Sequence, residues 1–148
     1  MPLIAITRLR LRGFRYLLPF AWQSRLSARQ AERSAGFLAG EVSGTPLRHT
    51  FWTVTLWENE ASMRAFRASG DHQRVMPRLA DWCDEASVVH WEQADASMPS
   101  PDEMLRRMQS GGRPLRVRHP SPDHAAGRAA ADGRPPVRGT VLRPRSDS

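Results

Sequence analysis

The sequence predicts an α+β fold whose elements follow in the order β-α-β-β-α-β, and three observations predict it. The segment His49–Trp57 is dense in aromatic and β-branched residues, the composition of a strand. It runs through Glu58-Asn59-Glu60 into an apolar-periodic stretch, Ala61–Arg67, so strand passes to helix at Asn59, a good N-cap residue. Both strand faces are bulky, with Phe51, Thr53, Thr55 and Trp57 on one and Trp52, Val54 and Leu56 on the other. A small sheet that needs cover on both sides suggests helices on one face and a second subunit on the other.

Residues 2–12 alternate as a strand, with Leu3, Ala5, Thr7, Leu9 and Leu11 on one face and Ile4, Ile6, Arg8, Arg10 and Arg12 on the other. Gly13 ends it. From Pro19, suited to a first helical turn, to about Ala35 the period is helical, and Gly36 is placed as a C-cap residue. Phe37–Val42 reads as a short second strand, and Ser43-Gly-Thr-Pro46 as a turn. After the third strand, His49–Trp57, a helix from Ala61 to about Ser69 buries Met63 and Phe66. Gly70 breaks it, and Asp71 caps further helical turns carrying Val75, Met76, Leu79 and Trp82. Pro77 argues against one straight helix there. Ala86–Glu92 is the last strand, which completes a split βαβ, or ferredoxin-like, arrangement.

The aromatic residues divide the chain. All five Trp, all five Phe and the single Tyr lie between residues 14 and 91. Residues 96–148 hold eight of the twelve Pro, five of the ten Gly, ten Arg against five acids, and two Ser-Pro pairs. Lacking large apolar side chains to offset the entropy of ordering, this segment is expected to be a largely disordered tail behind a folded domain of residues 1–95. A short helix at 101–109, with Met104, Leu105 and Met108, is the one element expected in it, docked on the domain.

Most of the +7 charge belongs to the tail, since residues 1–95 carry 12 Arg and 10 acids. There are 22 Arg and no Lys, which reads as a genomic base bias rather than a functional signal. No aromatics are interleaved with the tail arginines to stack bases, so nucleic acid is not the expected partner. Cys83 is alone, which excludes an internal disulfide and a Cys-based zinc cluster. The N-terminal apolar stretch is too short for a signal peptide, and no run reaches the roughly 20 residues of a membrane span. A soluble, cytoplasmic protein is expected.

The stretch Thr53-Val-Thr-Leu-Trp-Glu-Asn-Glu-Ala-Ser-Met-Arg-Ala-Phe66, followed by Ser69-Gly-Asp-His72, resembles the DUF3291 family. That family is related to spheroidene monooxygenase and belongs to the dimeric α/β-barrel superfamily, with the antibiotic-biosynthesis and haem-degrading monooxygenases. The resemblance spans roughly residues 3–94. It implies a homodimer through the open sheet face and a ligand pocket between the sheet and the helices of each subunit.

The same resemblance implies haem as a cofactor, and with it an axial imidazole. His72 follows Gly70-Asp71, where the backbone can turn a side chain into the pocket, and is the residue expected to ligate iron and carry the catalysis. The plainer alternative is packing near a helix N-terminus. Arg8 and Arg10, with Arg12, form a basic row suited to bidentate recognition of haem propionates or of an acidic substrate, or else to a solvated strand end. Trp22 and Phe66, with Trp52 and Trp57, would line a flat apolar cavity or serve as core. His49 is expected to face solvent and His90 to be a hydrogen-bonded sheet residue.

The expected function is that of a monooxygenase-like oxidoreductase acting on a small apolar substrate. It would use haem, or else the cofactor-free chemistry in which a His base deprotonates a phenolic substrate that reacts with oxygen directly. The alternative is a non-catalytic dimeric barrel that binds or senses a hydrophobic small molecule.

Overall fold

The computed structural model describes residues 1–145. Strand β1 (Leu3–Leu11) leads to α1 (Leu17–Arg33), β2 (Phe37–Thr45), β3 (Thr50–Trp57), α2 (Glu60–Arg67), α3 (Gly70–Trp82) and β4 (Cys83–Glu92). This is the α+β, ferredoxin-like order read from the sequence. β1 lies between β3 and β4 and is antiparallel to both, and β2 pairs antiparallel with β3. Register then decides which side chains share a face. Ile4 stands beside Leu56 and Trp91, and Ile6 beside Val54 and Val89, on what is here the outer face. Ala5 stands beside Thr55 and His90, and Thr7 beside Thr53 and Val88, on the inner face.

The three helices cover the inner face. Leu3 and Trp57 pack with Ala31, Met63 and Phe66 at one end, and Leu9 and Leu11 pack with Phe20 and Cys83 at the other. The turn into α2 is local chemistry: Asn59 is extended (φ −162°), and its Oδ1 accepts a hydrogen bond from the Ser62 amide at 2.9 Å. Gly36, which follows α1, has φ +83°, the left-handed conformation that glycine adopts without strain.

Four boundaries differ from the sequence reading. α1 begins at Leu17, so Pro19 sits inside its first turn, where a missing amide leaves no bond unmade. β2 runs to Thr45 and absorbs the expected turn, because Ser43 and Gly44 pair with Trp52 and Phe51. α3 continues through Pro77, which faces solvent, so water can satisfy the carbonyl that the proline leaves free. β4 starts at Cys83, directly from the end of α3.

Residues 96–145, expected to be largely disordered, are instead laid along this sheet. They form α4 (Pro101–Gly111), β5 (Arg113–Pro114), α5 (Pro122–Ala125) and β6 (Thr140–Leu142). β5 pairs with β4 and β6 with β2, so the sheet order is β5-β4-β1-β3-β2-β6 and both outermost strands belong to this segment. The segment needs no core of its own, and the helix expected at 101–109 is α4. Met104 and Met108 of α4, together with Ala130, bury against Ile4, Ile6, Trp52, Val54 and Leu56 on the outer face. The sequence reading assigned that face to a second subunit; α4 of the same chain lies on it.

A buried ionic cluster fastens the segment. Arg8 is 1% exposed, and its two terminal nitrogens reach Glu85 at 2.7 Å and Asp132 at 3.1 Å. The second oxygen of Glu85 accepts a 2.7 Å hydrogen bond from Ser121. Arg8 and Glu85 thus join the central strands to residues 121 and 132, which lie 36 and 47 positions beyond Glu85 in sequence.

Candidate functional site

Between the inner sheet face and helices α1–α3 lies an apolar cavity of about 170 Å³. Ala5, Thr7 and Thr55 form part of its sheet side, and Ser27, Phe66 and His72 part of its helical side. Trp57 is fully buried there, with its indole nitrogen donating to Thr55 Oγ1 at 2.9 Å. Leu115, Val117 and Leu142 also line the cavity, so the C-terminal segment completes its wall.

Gln30 on α1 positions His72. Its amide nitrogen donates to the carbonyls of Phe66 (3.1 Å) and Ser69 (2.8 Å), and its oxygen accepts from the His72 backbone amide at 2.9 Å. Gly70, at φ +59°, makes the sharp passage from α2 to α3, and a side chain there would strike Gln30. The His72 ring, held by this clamp, lies 4.7 Å from the Phe66 ring. Burial pushes the His72 pKa down, assisted by the nearby Arg67 charge and opposed by a hydrogen bond with the Arg67 backbone. At neutral pH the ring is therefore uncharged, with a lone pair free to accept a proton.

Two buried polar atoms beside the cavity have no hydrogen-bond partner: Ser27 Oγ and His72 Nδ1. Buried polar groups are normally satisfied. Arg67 makes no ion pair with a carboxylate among the described residues, and no Asp or Glu is among the cavity-lining residues described. The lining is mostly apolar, and its polar side chains include the His72 imidazole, the Ser27 hydroxyl, Gln23, Thr55, Arg67 and Arg116.

Of the residues singled out in the sequence, the fold brings His72 and Phe66 together at the cavity. Trp22 projects from α1 and is 58% exposed, outside the cavity lining. Arg8 and Arg10 stand on the opposite sheet face. Arg8 is committed to Glu85 and Asp132, and Arg10 grips Asp84 with two hydrogen bonds of 2.9 and 2.8 Å. Alternation put all three arginines on the face of Ile4 and Ile6, so the sequence already separated them from the pocket side. His49 packs edge-on against Phe14 at 4.1 Å rather than facing solvent freely. His90 is exposed at the cavity rim. Ser27, Gln30 and the C-terminal lining residues carried no signal as site residues.

These residues do not fit haem. The cavity is close to the roughly 150 Å³ of an engineered cavity that holds one benzene molecule, far below what a porphyrin occupies. The arginines expected to meet its propionates lie across the sheet. Among the described residues no group of three or more His, Cys, Asp or Glu is placed to hold a metal ion, and no helix is long and apolar enough to cross a membrane.

No family model matches the sequence, and no curated protein matches it. Solved structures do. Rv0793 from Mycobacterium tuberculosis superposes with a TM-score of 0.58 at 10% identity, over 66% of this chain and 100% of that one. SnoaB, a cofactor-independent oxygenase from Streptomyces nogalater, superposes with a TM-score of 0.54 at 12% identity, over 67% of this chain and 98% of that one. An antibiotic biosynthesis monooxygenase gives 0.56 at 14% identity, over 63% of this chain and 99% of that one. At such identities the likeness shows the fold alone: that of the antibiotic-biosynthesis monooxygenases. Each neighbour is matched almost entirely, while about a third of this chain has no counterpart in it.

Proposed function

We propose that the chain is a monooxygenase-like oxidoreductase that oxidises a small hydroxyarene without haem, using His72 as the proton acceptor. The observation that carries this reading is the pairing of a one-ring-sized apolar cavity with an unpartnered, neutral His72 nitrogen beside it. The fold it shares with SnoaB, described as a cofactor-independent oxygenase, supports the reading.

A phenolic hydroxyl bound in the cavity would satisfy His72 Nδ1, with Ser27 Oγ as a further polar contact. Transfer of its proton to the imidazole gives a phenolate, which Arg67 stabilises by its charge. The electron-rich ring then reduces oxygen. A carbon–oxygen bond forms at the position para to the oxyanion, that carbon loses its hydrogen, and water leaves. Phenol plus O₂ gives quinone plus water, so the substrate supplies all the electrons. The apolar walls keep bulk water from the ionised ring.

The test is oxygen uptake and quinone absorbance with a panel of one- and two-ring phenols, on the intact chain and on His72→Gln. Loss of general base catalysis should lower the rate about 100- to 10,000-fold, with phenol binding changed far less. A second reading, a non-catalytic binding protein, is favoured by the lack of Asp or Glu among the described cavity-lining residues. Saturable phenol binding with no oxygen uptake in either protein would establish it and overturn the enzyme reading.

A further inference from the structure

We propose that Leu142 on β6 limits the substrate to a single ring, by plugging the gap between β2 and α1 through which the cavity would join a larger groove. This rests on the preceding reading, in which the cavity is the substrate site. The groove, of about 860 Å³, runs between α1 and the Val42–Pro46 end of β2. Cavity and groove share five lining residues: Phe20, Ser24 and Ala28 of α1, Val42 of β2, and Leu142. One layer of side chains therefore parts them.

Leu142 is the member of that layer brought by the returning chain, and it is 6% exposed. It packs in one cluster with Phe37, Trp57 and Phe66, and the Phe66 ring lies 4.7 Å from that of His72. Phe20, the other large member, belongs to the cluster of Leu9 and Leu11 at the far end of the sheet. Leu142 is thus the large side chain of the partition at the end nearer the proposed proton acceptor.

The plug is seated from both sides. Toward the sheet, Leu142 pairs with Gly40, where an added Cβ would lie 3.2 Å from the Phe37 ring and 3.4 Å from Leu142 Cδ1. The missing side chain at 40 leaves the leucine its room. Toward the helix, Glu32 of α1 clasps the chain just past β6 and is 7% exposed. Its carboxylate accepts from the Arg143 amide at 3.0 Å and meets Arg145 Nε at 3.4 Å. Its carbonyl accepts from the Arg145 amide at 2.7 Å. A buried carboxylate requires such partners, and these hold β6 across the gap.

The test is the binding of phenol and 1-naphthol to the full chain, read by calorimetry and so independent of oxygen uptake. A single methylene in an apolar pocket discriminates by about 10- to 200-fold. The intact chain should therefore bind 1-naphthol at least about tenfold more weakly than phenol. Leu142→Ala, which removes the isopropyl group, should raise naphthol affinity by at least about tenfold and change phenol affinity far less. Leu142→Val, a milder cut in case the alanine variant does not fold, should give a smaller gain of the same sign. Val141→Ala, on the same strand but lining the groove alone, should change neither. Equal affinity of the intact chain for both ligands overturns the proposal, as does a folded Leu142 variant without the naphthol gain. An equal gain in Val141→Ala also overturns it, because loosening of β6 would then suffice. The expected size limit without any oxygen uptake sinks the enzyme reading and leaves Leu142 its role. Absence of phenol binding in every chain removes both.

Discussion

The two faces of the sheet are made by alternate residues of the same strands, yet they are finished in opposite ways. On the outer face both terminal nitrogens of Arg8 have a carboxylate within 3.1 Å, its Nε alone being buried without a partner, and Met104 and Met108 of α4 pack on the apolar side chains. On the inner face, space remains beside Thr7 and Thr55, and Ser27 Oγ and His72 Nδ1 are buried without partners. Packing to completion is what stability alone favours. A cavity with unsatisfied polar atoms is where stability has been given up, and the proposed chemistry belongs there. The outer face is the structural one, even though it holds the arginines that the sequence made most conspicuous.

The largest effect that could break this contrast is on the outer face. Glu85→Ala leaves the Arg8 guanidinium buried without its nearer partner, and loss of one member of a buried pair costs about 3–5 kcal/mol. Urea denaturation should show a loss of that order. A change under about 1 kcal/mol, the scale of an exposed ion pair, would mean the cluster is hydrated and the outer face is not sealed.

A smaller effect of opposite sign is expected across the sheet. Ser27→Ala removes a buried hydroxyl that makes no hydrogen bond, so stability should be unchanged or rise by up to about 1 kcal/mol, while phenol binding weakens. A clear loss of stability would show that Ser27 has a structural partner and that the inner face is as complete as the outer.

The smallest effect concerns pH. His72 has its pKa lowered in the folded chain, chiefly by burial, so as pH falls the unfolded chain takes up this proton first. The stability present above the ordinary value of 6.5 is lost as pH falls through 6.5 toward the folded value. Subtracting the stability–pH profile of His72→Gln from that of the intact chain isolates this contribution. A difference that is flat below pH 7 would mean that His72 is solvated and not poised as a neutral base. Cys83 gives an internal control, because burial pushes its thiol pKa up to about 12, and it should stay unmodified by thiol reagents until the chain unfolds.

Much of this was legible in local sequence. The passage from β3 to α2 rests on strand alternation followed by a single side-chain cap at Asn59, both set within a few residues. His72 drew attention through the resemblance and its place just after Gly70-Asp71, and Phe66 was read either as cavity lining or as core; both lie at the cavity. Gln30 was not, since its role comes from accepting and donating hydrogen bonds about 40 positions away, which no local pattern records. The segment beyond residue 96 gave two readable signs, the Ser-Pro pairs at 100–101 and 121–122. Each is a helix start: a helix at 101–109 was expected after the first, and only the second was outweighed by composition.

By itself the sequence determined the alternation of β1 and β3, the order of elements, and therefore which side chains share a face. Those are consequences of backbone period and capping, which act between near neighbours. Only the tertiary structure decided what lies on each face. Met108 finds its place against Ile6 and Trp52, and Leu142 against Phe37 and Trp57, because their apolar surfaces fit in space after the chain has turned back on itself. That pairing depends on shape and burial between residues about 55 to 105 positions apart, and the same physics left a cavity on the inner face.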